Sequence, residues 1–403
     1  MFKIALTGSE IPALLPGLAA DLFFASRLPC ELWVHQANPA MGQLAEDYLN
    51  ALTAAGGVAG RAHSTPRLKE ALTGAEGVIY ADGCQNGSRF LNDREALKGP
   101  GDDDPGLSNQ ARPWGGLEGL LMTLRVGQRA LTLCEAMAGA CPQAPIVNLS
   151  RPLGQLTALF RQQGFTVYGL DGGPLRGPQG LEGLCRLMKK KRLTFQAAGL
   201  NGFSFLIQLQ DGSLDVMPQA QRLVKHGDWG PLKQRWLDWY GLIPLGAEHG
   251  QYLPAQPDWE PEAEPCLAEP VERRKERILQ MNTVARQGPR SREGALAQVS
   301  LTLPAAVMVN GSRMPQLPPE AVIEAPLALM GNNPPIRLPQ EAAAILGEIA
   351  QTQRFSAQAA AGDRQALRAA VEIDPALSGL DRLYCLDVLE ALIRMNEDVL
   401  PRF

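Results

Sequence analysis

A chain of 403 residues, 45% hydrophobic and 20% charged, holds enough apolar material for a sizeable core and has the length of two or three domains. Its formal net charge of -4, from 38 basic and 42 acidic residues, exerts no pull toward nucleic acid, and "KKKR" at Lys189 to Arg192 is a short run of the kind that ends a solvated helix. The cysteines, an odd number with no CxxC pair, suit free thiols in a reducing cytoplasm; no run of about 18 apolar residues marks a membrane span, and "MFKIALTGSE" enters a strand pattern without the regions of a secretory signal.

From the amino terminus, short apolar runs alternate with amphipathic ones. "FKIALTG" (2–8), "ELWVH" (31–35), "GVIYAD" (77–82), "PIVNLS" (145–150) and "FTVYGL" (165–170) read as strands. "IPALLPGLAADLFFAS" and "GLEGLLMTLRVGQRALTLCEAM" read as the helices between them. Strands separated by helices predict a doubly wound parallel sheet with helices on both faces, over residues 1–190. The acidic, Gly- and Pro-rich stretch from Asp93 to Gly116 is expected to be a surface loop or lid. After about Lys190 the pattern changes. "RLTFQAAGLN" and "FSFLIQLQDGSL" read as strands joined by polar turns, a helix-rich stretch follows from Pro218 to Tyr240, and Pro254 to Glu272 reads as irregular. Helical patterns over Gln340–Ala361, Asp363–Glu372 and Leu380–Glu397 close an α+β domain over 191–403; Leu383, Leu386, Leu389 and Ile393 are expected to form its core.

The first strand ends in "LTGSE", where a dinucleotide-binding fold turns on glycines into a helix whose amino terminus receives the pyrophosphate. One glycine, Gly8, stands there, followed by Ser9, and their backbone is expected to face the cleft. The second strand ends in His35, Gln36 and Asn38, where such a fold places an acid for the ribose. "APIVNLSRPLGQLT" brings Asn148 and Ser150 to the sheet edge, as ligand contacts or as turn and cap residues. "FTVYGLDGGPLRG" stops at Asp171, the edge where open sheets hold their ligands.

Taken in order, these segments resemble glycoside hydrolase family 4, the NAD- and metal-dependent glycosidases. "STPRLKEALTGAEGVIYA" is similar to the family's T-x-D-x-x-x-A-L-x-G-A-D-x-V-I, and "NDREAL" keeps its D-x-E spacing at Asp93 and Glu95. "GGLEGLLMTLR" resembles its G-G-x-x-x-x-L-R helix, and "CPQAPIVNLSRPLG" its C-P-x-A-x-x-x-N-x-T-N-P-x-G. "AAGLNGFSFL", "YGLIPLGAEHGQYLP", "VNGSRMPQLPPEAVIEAP" and "AGDRQALRAAVEIDP" continue the likeness to the carboxyl terminus.

The resemblance implies an α/β fold, Rossmann-type and followed by a C-terminal α+β domain, in a cytoplasmic homodimer. It also implies a glycoside, phospho-glycoside or sugar acid as substrate, with no nucleic-acid or membrane partner. NAD and a manganese or magnesium ion would be the cofactors, in an oxidation at the sugar C3 hydroxyl followed by elimination, outside the two-carboxylate scheme of most glycosidases. By position, Gly8 and Ser9 would hold the cofactor, and Asn148, Asn201, Glu248 and His249 the sugar. Asp171 and Tyr252 would be catalytic, with Asp171 also the metal ligand. The chain departs from the family at the turn around Gly8, at Gln36, at Asp171 in place of the metal-binding cysteine, and at Gly202 in place of the metal-binding histidine. A carboxylate can replace a thiolate around a hard cation, whereas glycine offers no donor. The alternative is a catalytically degenerate sugar- or nucleotide-binding protein with the same fold.

Overall fold

The structure, a computed structural model, describes the chain apart from residues 26–27, 84–88, 90–91, 94–95, 98–114, 172–179, 192, 202, 246–270, 289–304, 311–312, 327–334 and 401–403, and apart from the side chains at 25, 171, 271–273, 305–309 and 325–326. The first half runs β1 (Phe2–Thr7), α1 (Ile11–Ala19), β2 (Cys30–His35), α2 (Pro39–Gly56), β3 (Arg61–Thr65), α3 (Leu68–Leu72), β4 (Gly77–Tyr80), α4 (Gly116–Ala140), β5 (Ile146–Asn148), α5 (Leu153–Gln162) and β6 (Val167–Asp171). These strands lie side by side in the order β6-β5-β4-β1-β2-β3, all parallel, which is the dinucleotide-fold order. The apolar runs became strands because the sheet buries both faces, as in β1, where the last four residues are all buried. β3, "RAHST", escapes a sequence reading. It is an edge strand with an exposed Arg61, so no apolar run announces it.

The second half runs α6 (Leu181–Leu187), β7 (Thr194–Leu200), β8 (Phe203–Asp211), β9 (Leu214–Asp215), α7 (Met217–Lys225), α8 (Pro231–Tyr240), β10 (Ile243–Leu245), α9 (Val271–Gln287), β11 (Ala305–Val309), β12 (Val322–Pro326), α10 (Gln340–Ala360), α11 (Arg364–Ile373) and α12 (Arg382–Met395). Its strands extend the same sheet from β6 through β11, β12, β7 and β8 to β10, every added pair antiparallel. The sheet is thus a six-stranded parallel half joined edge-on to an antiparallel one. The irregular stretch expected from Pro254 lies outside the described residues up to 270, and Val271 opens α9.

On one face of the parallel half, Ile4 and Leu6 pack against Ile11, Leu15 and Leu49 of α1 and α2, with Met281 of α9 inserted among them. On the other face α4 and α5 pack against α10, α11 and α12, so the carboxyl-terminal helices share a core with the first half. Leu389 is buried in that core, and Leu386 and Ile393 pack against it, but Leu383 is 73% exposed. Steps of three residues fall about 60° behind a helical turn each time, which carries Leu383 round to the solvent side. In the second half, Phe203, Phe205 and Trp236 form a buried aromatic group, Phe203 and Trp236 having ring centroids 4.8 Å apart. Cys30 and Cys134 are free and buried, and burial pushes their thiols up to about 11 and about 12. Among the described residues no helix is long and apolar enough to cross a membrane.

Candidate functional site

β1 and β4 lie together where the order of the parallel strands reverses, the place at which open α/β sheets hold ligands. Gly8 and Ser9 form the turn from β1 to α1. Gly8 has φ +119, and a Cβ there would run into the carbonyl of Ala81. The turn therefore rests directly on the chain leaving β4. Gly8→Ala is expected to cost about 3 kcal/mol or more, from the positive φ and the backbone clash together. Urea unfolding measures it, and a loss under about 1 kcal/mol would show that the turn can move off Ala81.

That close approach takes up amides at the start of α1. The Glu10 N–H donates to the Ala81 carbonyl at 2.9 Å, and the Ile11 N–H to the Gly8 carbonyl at 3.3 Å. Pro12 has no N–H, and the Ala13 N–H turns back to the Glu10 carbonyl at 3.0 Å. The amides of the first turn of α1 are spent or missing, so the anion-binding character of a helix amino terminus is satisfied from within.

Carboxylates stand beside the turn as well. Glu10 is half-buried, and a Cβ on Gly83 would stand 2.5 Å from its Oε1. Burial raises its pKa, the neighbouring Asp82 raises it further, and Arg274 and Arg277 of α9 oppose both. Asp82 is itself buried; it accepts a hydrogen bond from the Ser9 hydroxyl at 3.0 Å and pairs with Arg129 of α4 at 3.2 Å. The Ser9 hydroxyl oxygen accepts the Gly83 N–H at 3.1 Å, and that of Ser150 accepts the Asp82 N–H at 2.8 Å. Two carboxylates thus stand beside the turn, with Arg129, Arg274 and Arg277 already engaged by them.

The end of β2 is equally committed. His35 Nδ1 lies 3.0 Å from the Thr7 hydroxyl, and burial lowers the ring's pKa, against a backbone hydrogen bond at Pro66 that raises it. The Gln36 N–H goes to the Thr65 carbonyl, and the Asn38 side chain caps α2 by accepting the N–H groups of Ala40 and Met41. The residues present do not fit NAD bound in the manner of this fold.

Further along the same edge, Asn148 at the end of β5 is fully buried. Its amide nitrogen donates to Thr157 Oγ1 at 3.3 Å and to the Leu153 carbonyl at 3.5 Å, while its oxygen accepts the Ser150 N–H at 3.0 Å. Asn148 thus braces the loop between β5 and α5. Asp171 ends β6 with its backbone opposite Ala305 of β11, and Asn201 follows β7 and is buried. Gly202, Glu248, His249 and Tyr252 lie outside the described residues. Among the described residues no group of three or more His, Cys, Asp or Glu side chains could hold a metal ion. Glu10 and Asp82 are the site residues that sequence reasoning passed over. The signal for Glu10 was available in "GSEIP", an acid and a proline at the start of a helix, whereas Asp82 reaches the turn only through the pairing of β1 with β4.

No protein-family model matches the chain, and no curated protein matches it. Solved structures do. A 6-phospho-α-glucosidase from gut microorganisms, in complex with NAD and Mn2+, superposes with TM-score 0.76 at 14% identity over 100% of this chain and 99% of that one. The 6-phospho-β-glucosidase of Thermotoga maritima, with manganese, NAD+ and glucose-6-phosphate, gives 0.75 at 16% identity over the whole of both chains. The lplD protein of Bacillus subtilis, described as a glucosidase, gives 0.76 at 18% identity over 97% of this chain and 99% of that one. The fold, parallel half and antiparallel half together, is therefore the one these glucosidases have.

Proposed function

We propose that this chain is a sugar-binding protein of carbohydrate metabolism, built on the fold of NAD- and manganese-bound glucosidases, that does not use their nicotinamide chemistry. Its ligand is a glycoside, phospho-glycoside or sugar acid held over the carboxyl ends of β5 and β6, with Asp171 as a contact and Asn148 holding the loop; Asn201 follows β7, which runs antiparallel to β6, and lies toward the other edge of the sheet. A cytoplasmic homodimer is the setting that the family resemblance suggests. The likeness over both halves of the chain, and not over the nucleotide half alone, supports a sugar ligand. The observation that carries the loss of redox chemistry is the turn at Gly8, whose helix amides are taken by Ala81, Gly8 and Glu10 and whose surroundings hold two carboxylates.

The test is a titration of the whole chain with NAD, beside an assay of nitrophenyl glycosides and their 6-phosphates with NAD and Mn2+. No saturable NAD binding is expected up to about 1 mM, which corresponds to less than about 4 kcal/mol of binding free energy, and no NAD-dependent release of nitrophenol. Glucose 6-phosphate or a parent glycoside should raise the unfolding temperature of the chain, and Asp171→Asn should remove that rise without changing the unligated transition. A tight stoichiometric NAD complex, or turnover that needs NAD, would restore the glycosidase reading.

A further inference from the structure

An apolar groove runs between the last two helices. α11 and α12 enclose about 500 Å³ over an apolar floor, in which Leu367 and Leu389 are buried and Leu386 and Ile393 half-buried. The rim is charged: Arg364, Arg368 and Arg394 stand there with Glu390 and Glu397, all exposed. These charges hardly engage one another, since among the described residues the one ion pair between them is Arg364 to Glu390, at 3.8 Å. An apolar floor inside a polar, solvent-facing rim is the anatomy of a protein–protein contact.

The insert that suits this groove stands on the same helix. Leu383 is 73% exposed, and Leu383, Leu386, Glu390 and Ile393 recur at i, i+3, i+7 and i+10, so Leu383 lies on the stripe of α12 that lines the groove, just before the groove begins. Asp381, which caps α12, and Asp387 are exposed beside it. A leucine flanked by acids and an apolar groove rimmed by three arginines complement each other in shape and in charge. Within one chain they cannot meet, because Leu383 and Ile393 are held about 15 Å apart on one rigid helix. Across a twofold axis, two antiparallel copies of α12 bring each Leu383 to the groove of the other, and both contacts close at once. A second copy thus supplies the apolar insert and the acids that this face lacks a partner for.

We infer that this face is the contact between two copies of the chain, with Leu383 of each copy seated in the groove of the other and Asp381 and Asp387 set against the rim arginines. The inference rests on the homodimeric setting proposed above, to which it gives a surface, and is independent of the sugar and NAD readings. Sedimentation velocity of the full chain over about 1 to 100 µM tests it, and a dimer with a Kd of about 10 µM or tighter is expected. Leu383→Asp carries a charge into the apolar groove and should weaken the association by about tenfold or more. Arg394→Glu, which sets like charge against Asp381 and Asp387, should weaken it to a similar degree. Leu383 and Arg394 are exposed in the single chain, so both variants should keep the circular dichroism of the parent. Asp171→Asn, at the strand ends, should leave the Kd unchanged. A dimer of undiminished affinity in Leu383→Asp would overturn this surface and keep the homodimer. A parent chain that is still monomeric at about 100 µM would overturn both, and would leave the groove to a different protein.

Discussion

Replacing Arg125 with methionine is expected to remove about 3–5 kcal/mol of folding free energy, the cost of leaving one partner of a buried ion pair alone. Arg125, on α4, donates to Asp93, and both side chains are almost fully buried. Asn396, just past α12, joins them: its amide nitrogen donates to Asp93 Oδ1 at 3.1 Å, and its oxygen accepts from Arg89 at 3.4 Å. The network ties the segment after β4 to the carboxyl terminus through one helix. Without the guanidinium, the Asp93 carboxylate would keep Asn396 as its donor from this group and no opposite charge. The pair itself is imperfect, since Nε and Nη2 of Arg125 are buried and find no partner among the described residues. Replacing both members, Asp93→Leu with Arg125→Met, should therefore recover most of the loss. Urea unfolding of the single and double variants closes the cycle. Equal losses in Arg125→Met and in the double variant would mean that packing, and not the charge, sets the cost.

This network bears on what the sequence made legible. Asp93 belongs to the D-x-E spacing and Arg125 ends the "GGLEGLLMTLR" segment of α4, two segments that resembled a glycosidase family and that meet as an ion pair. Asn310, in "VNGSRMPQLPPE", likewise holds the turn between β11 and β12, donating to the carbonyls of Met314, Leu317 and Pro318. Asn148 braces the loop between β5 and α5. The resemblance was carried in good part by residues that build the fold, which is why the fold followed from it. The chemistry depends on a few residues at strand ends, and these are where the chain departs. The parallel strands were readable because both their faces are buried, giving uninterrupted apolar runs. β3 and α9 were not, because each presents a polar face to solvent; α9 reads "VERRKERILQMNTVARQ", with Met281 the one deeply buried side chain among those described.

The closed turn shows the same limit from the other side. A lone glycine after β1 is compatible with a weakened dinucleotide site. The sequence does not say that Gly8 lies against Ala81 or that Asp82, distant in the chain, stands beside Glu10. Register across the sheet decides both. β1 and β4 pair so that Thr7 lies opposite Tyr80, which delivers Ala81 and Asp82 to the turn. Pairing of the strands therefore puts two carboxylates that are distant in the chain beside one turn, where Asp82 raises the pKa of Glu10.

A second large effect is expected from pH, through Asp374. This residue ends the "AGDRQALRAAVEID" segment and is buried. Its Oδ2 accepts the Gly116 N–H at 2.8 Å, at the start of α4, and its Oδ1 accepts the Ala376 N–H at 2.9 Å. Gly116 has φ +66, so its amide is aimed by a conformation that favours glycine. Desolvation pushes the Asp374 carboxyl up to about 6 from its ordinary 3.8, against the two amide bonds and the charge of Arg382, which pull it down. The folded chain then binds the proton more tightly than the unfolded chain. Its contribution to stability is complete below about pH 4, declines as pH rises, and is gone above about pH 6, a span of roughly 3 kcal/mol. Asp374→Asn cannot titrate, and it loses one of the two amide bonds at every pH. The difference in unfolding free energy between the two proteins should therefore shift by roughly 3 kcal/mol in favour of the variant between pH 4 and pH 7, whatever other carboxylates do. Parallel stability curves across that window would show that Asp374 titrates at its ordinary value, and that the amino terminus of α4 is held by the charged carboxylate at little cost.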